Sequence, residues 1–90
     1  MDILSTLSDN FNLMKKSNIL RSLGEQIRDQ RIKKGWSQEG FALKCQLDRS
    51  YIGKIERGER NVTLLTLYQI AKTLDLQVKD LIGKIQDEEK

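Results

Sequence analysis

Ninety residues, 38% of them hydrophobic, suffice for one small domain with a modest core, and a second is not expected. The formal charge is +3, and residues 17–84 hold 13 basic against 8 acidic side chains while the closing IQDEEK carries −2, a mild sign of an anionic partner. With no histidine and one cysteine, Cys45, a histidine-based catalytic dyad, an internal disulfide and the usual structural zinc sites are excluded, and no metal or cofactor is expected.

No apolar run approaches the ~18 residues of a membrane span, and the start lacks a basic region followed by an apolar one. A cytoplasmic protein is therefore expected. Asp2 is placed to cap a first helix in which Ile3, Leu4, Leu7, Phe11 and Met14 recur at helical spacing. Residues 1–17 read equally as a frayed leader and as an arm packing on the domain or on a second subunit. Ser17 and Asn18 interrupt the pattern and offer the next cap. A helix is expected from about Ile19 to Lys34, with Leu20, Leu23, Ile27 and Ile32 facing inward and Gly35 as its stop. Lys33 and Lys34 suit the negative end of its dipole. Trp36 follows at once and reads as a cover over the core edge.

Ser37 to Gly58, SQEGFALKCQLDRSYIGKIERG, reads as two short helices joined by a tight turn. Ser37 caps the first, whose inner face is Phe41, Ala42 and Cys45; Asp48 offers a cap to the second, in which Ile52 and Ile55 share a side. Cys45 on that apolar face reads as a small buried hydrophobe. The outward side of the second helix is basic and hydroxylic. Beyond Gly58, Glu59, Arg60 and Asn61 make a polar link to Thr63, a further cap. A helix from about Leu64 to Leu74 presents Leu64, Leu67, Ile70, Ala71 and Leu74 to one side, Asp75 and Leu76 break it, and a last short helix from about Val78 carries Leu81, Ile82 and Ile85. No stretch alternates with a period of two, so the chain is expected to be all-α.

RIKKGWSQEGFALKCQLDRSYIGKIERGERNVTLLTLYQIAKTLDL resembles the phage-repressor and Cro type of helix-turn-helix domain. Within that type it is most similar to controller proteins of bacterial restriction-modification operons, to which LDRSYIGKIERGERN is close. The resemblance covers roughly residues 20–83. It implies a five-helix, lambda-repressor-like DNA-binding domain, with the N-terminal helical segment as an addition, and a homodimer on a two-fold-related operator. Residues 1–17 are then an extension, 18–84 the DNA-binding and dimerisation domain, and 85–90 an acidic tail.

A helix fits the major groove, where base edges are distinguishable, and its first residues reach them. The base-reading candidates are Arg49, Ser50, Tyr51 and Lys54. Arg49 can donate two bonds to a guanine. Lys54 departs from the small residue of comparable controllers, and can read a base, reach a phosphate or stay solvated. Phosphate contacts are expected from Ser37 and Gln38 at the start of the first short helix and from Arg57, Arg60 and Asn61 past the second. Glu59 among them must turn away from DNA. The family's scaffold ion pair falls on Arg31 and Glu56. Leu65 lies about half a turn from the inner face of its helix, with Tyr68 on the flank, and Ile82 and Ile85 extend the last stripe; this apolar surplus is read as a dimer interface. A phage-type repressor or an antitoxin would share the fold, and a helical protein-interaction module without DNA binding is the alternative from another class. No nucleophile with a base, metal cluster or phosphate-binding loop is present, so an enzyme is not expected.

Overall fold

The computed structural model describes the backbone of residues 3–85 and the side chains of residues 18–85. Five helices follow one another: α1 (Ile3–Lys33), α2 (Gln38–Cys45), α3 (Arg49–Glu56), α4 (Leu64–Thr73) and α5 (Val78–Ile82). No strand occurs among the described residues. α1 packs against α3 and α5, α2 against α3 and α4, and α4 against α5.

The expected break at Ser17 and Asn18 is absent, because α1 runs unbroken through both. Neither glycine nor proline lies between Ile3 and Leu23. Serine and asparagine each cost at most ~0.7 kcal/mol relative to alanine inside a helix, less than stopping one helix and nucleating another. The Asp2 cap and the side chains of Ile3, Leu4, Leu7, Phe11 and Met14 lie outside the described residues.

Gly35, at φ +77°, ends α1 as expected. Ser37 caps α2 by accepting from the Gly40 N–H at 3.0 Å, and Thr63 caps α4 by accepting from the Thr66 N–H at 3.1 Å. Asp48 departs from expectation. It occupies the cap position of α3 without making the capping bond, and its Oδ2 accepts instead from the Ser50 hydroxyl at 2.6 Å. The turn between α2 and α3 is made by Gln46 in the left-handed region, φ 60°, with the Gln46 N–H donating to the Leu43 carbonyl and the Leu47 N–H to the Ala42 carbonyl. Asp75, at φ 62°, makes the corresponding stop after α4.

Leu23 and Ile27 of α1, Phe41, Ala42 and Cys45 of α2, and Ile52 and Ile55 of α3 meet Leu67, Ile70, Ala71, Leu74 and Leu81 in one core. Trp36 covers its edge, with its ring stacked on Phe41 at 6.0 Å between centroids. Ile32 is 49% exposed rather than inward. Arg31, four residues on from Ile27, takes the inward position, and Ile32 is rotated by about 100° from it. Leu64 is also outside the core, at 71% exposure. As the first residue of α4, its side chain leans toward the helix start rather than onto the core face. Ile85 departs in the other direction, since part of its surface packs on this core.

Cys45 is 1% exposed, the small buried hydrophobe expected, and burial raises its thiol above the ordinary pKa, a bond with the Thr73 side chain offsetting part of the effect. The Cys45 carbonyl, at the end of α2, accepts from the side-chain amide of Gln69 on α4.

Two glycines let α1 lie directly on the last turn of α3. A Cβ at Gly24 would stand 2.4 Å from the Ile55 carbonyl oxygen and 2.5 Å from that of Glu56. Gly58, at φ +76°, passes so close to α1 that a Cβ there would stand 2.7 Å from the Arg21 Cα. Both contacts are with backbone, which cannot swing aside. Any side chain at position 24 must push the two helices apart.

Candidate nucleic-acid interface

α3 has one face turned into the protein and one turned out. Ile52, Gly53, Ile55 and Glu56 are buried, whereas Arg49, Ser50 and Lys54 are exposed and Tyr51 is half-buried. The buried face fixes the helix and leaves the other free for a partner.

Glu56 is the polar part of that fixation. Its Oε2 accepts from the Arg31 Nε at 2.7 Å and its Oε1 from the Arg31 Nη2 at 3.1 Å, the two-pronged geometry that suits a guanidinium and a carboxylate. The Arg31 Nη1 donates to the Trp36 carbonyl at 2.8 Å, and the Gln38 amide donates to Glu56 Oε1 at 3.0 Å. Arg31 is 9% and Glu56 5% exposed. One buried pair thus ties α1, the α1–α2 link, α2 and α3 together.

The structure gathers Arg49, Ser50 and Lys54 on one outward arc of α3. The Ser50 hydroxyl is oriented by Asp48. Tyr51 lies at the arc's edge, its ring packed against the core and covered by the Arg60 guanidinium 5.1 Å from the ring centroid. Ser37 stands at the start of α2 with its oxygen engaged as the cap, and Gln38 is turned onto Glu56. Asn61 is exposed beyond α3. Arg57 is exposed and turned onto Glu59, the Nε to Oε2 distance being 3.0 Å and Nη2 to Oε1 3.2 Å. These hydrogen bonds hold the Glu59 carboxyl below its ordinary value, the charges of Arg57 and Lys54 adding to them against some desolvation.

Three relationships were not foreseen. Gly24 carries a readable signal, a glycine inside a helical pattern, which usually marks close packing. The Ser50–Asp48 bond and the Arg60–Tyr51 stack depend on side-chain directions that spacing does not specify. Away from the arc, Leu65 is 81% and Tyr68 57% exposed on α4, with Ile82 45% exposed at the end of α5. Among the described residues no group of acidic side chains and cysteine is placed to hold a metal, and no helix is long and apolar enough to cross a membrane.

Two short helices joined at a three-residue turn, the second braced from behind and basic in front, define a helix-turn-helix unit. The helix-turn-helix family model matches residues 27–81, and the chain belongs to that family. It is 45% identical over 67 residues to the control protein C.BamHI of Bacillus amyloliquefaciens, covering 73% of this chain and 83% of that relative. Its fold is similar to the restriction-modification controller protein C.AhdI of Aeromonas hydrophila, with TM-score 0.67 and 44% identity over 69% of this chain and 94% of that one. It is also similar to the controller protein C.Esp1396I, solved as a tetramer in complex with its natural 35 base-pair operator, with TM-score 0.66 and 38% identity over 74% and 93% of the two chains. The resemblance read from residues 20–83 is thereby confirmed.

Proposed function

We propose that this protein is a sequence-specific DNA-binding transcriptional regulator of the restriction-modification controller type, acting in the cytoplasm as a homodimer on a palindromic operator. The observation that carries this reading is the braced outward arc of α3, basic and hydroxylic, in a chain similar to a controller solved on its operator. Its task is binding rather than catalysis.

Residues 18–84 do this work. Arg49, Ser50, Tyr51 and Lys54 face the major groove, with Arg49 suited to a guanine edge. Ser37 and Gln38 on one side and Arg60 and Asn61 on the other hold the phosphate backbone. Arg57 belongs to the same flank and is paired with Glu59. Leu65, Tyr68 and Ile82, with the uncovered part of Ile85, are the surface for a second copy, and an isologous contact there repeats the reading helix about the two-fold axis.

The direct test is titration of duplex DNA at increasing salt. The logarithm of the affinity is expected to fall linearly with the logarithm of salt, by ~0.9 for each phosphate neutralised. Weak binding indifferent to salt would replace this reading by a protein-interaction module.

A further inference from the structure

We propose that Glu59 limits sequence-independent DNA binding by holding the Arg57 guanidinium away from the phosphate backbone, an inference that rests on the DNA-facing reading of α3. Arg57 stands three residues beyond Lys54 and seven beyond Ser50, so it continues their side of α3 just past the helix end. A guanidinium at that place has the geometry to grip a phosphate with two donors. Two of its nitrogens are given instead to both oxygens of Glu59.

Stability does not explain the pair. The side chains are 57% and 53% exposed, and ion pairs in such contact with solvent add little to a fold. The contrast with Arg31 and Glu56 is direct: the same two residue types are joined, one pair buried among three helices and the other outside on the flank of the reading helix. The charge of Lys54 on the arc also acts on Glu59, adding to the effect of Arg57 that holds its carboxyl below the ordinary value.

A cation already neutralised by a carboxylate releases fewer counterions from DNA, so it contributes less to the part of the affinity that is the same for every sequence. That part matters because non-operator DNA offers an immense excess of competing sites. Glu59 therefore lowers capture by random DNA and leaves Arg49 and Ser50 untouched.

The test compares Glu59→Gln with Asp75→Asn, which removes the same charge at the α4–α5 link, where the residue's left-handed backbone suits asparagine. Affinity of the full chain for a labelled random-sequence duplex is measured from 0.05 to 0.3 M salt. Glu59→Gln is expected to steepen the log–log slope by ~0.9, equivalent to about eightfold tighter binding at 0.1 M salt relative to 1 M. Asp75→Asn is expected to move the slope far less, and Arg57→Gln added to Glu59→Gln to return the slope to the wild-type value. Equal shifts for the two charge removals, or a slope that stayed steep in the double variant, would overturn the role of Glu59 while the wild-type chain still bound DNA. Absence of salt-dependent binding by the wild-type chain would overturn the DNA-facing reading itself.

Discussion

Glu56→Ala is expected to destabilise the domain by ~3 to 5 kcal/mol, the range for removing one partner of a buried ion pair. Arg31 is 9% exposed, and without Glu56 only its Nη1 keeps a described acceptor, the Trp36 carbonyl. The Gln38 amide loses its acceptor as well. At ~4 to 8 °C per kcal/mol for a domain of this size, the unfolding midpoint should fall by at least ~12 °C. Glu56→Gln keeps the shape but turns an amide nitrogen toward an Arg31 donor, so it should recover only part of the loss. An unchanged midpoint for Glu56→Ala would mean that α3 is held by its apolar face alone.

The second large effect concerns reading rather than folding. Arg49→Ala removes an exposed side chain at the first residue of α3, so the unfolding midpoint should stay within about 4 °C, as is usual for such a surface change. A bidentate arginine–guanine contact contributes ~1 to 3 kcal/mol of discrimination, and a two-fold operator uses it twice. The ratio of cognate to random affinity should therefore drop by at least about thirtyfold for the dimer, whereas binding to random duplex changes much less. An unchanged ratio in competition binding would show that base reading lies elsewhere.

The starts of α2 and α4 and the stop after α3 were legible because caps, period and a glycine agreed there: Ser37, Thr63 and Gly58 sit where local chemistry requires. The Arg31–Glu56 pair came from resemblance, since two residues 25 apart reveal no contact by spacing. Helix boundaries were less legible where the signals were weak. Serine and asparagine at 17 and 18 suit a cap or a helix interior at little difference in free energy, and continuity of α1 decided it. Ile32 and Leu64 were misplaced by the same cause, a period-based assignment near a helix end. There one step of about 100°, or a side chain leaning toward the helix start, separates core from solvent. The exposed arc could be named as residues but not as chemistry. That Asp48 engages Ser50, Arg60 covers Tyr51 and Glu59 holds Arg57 is set by rotamers, which a linear pattern does not encode.

Footprinting on the DNA upstream of the protein's own gene tests the central claim most directly. A dimeric reader should protect two related half-sites whose centres lie about one helical turn, ~10 to 10.5 base pairs, or a multiple of it apart, with both protections lost together in Arg49→Ala. No protection at saturating protein, or protection that Arg49→Ala leaves in place, would contradict it.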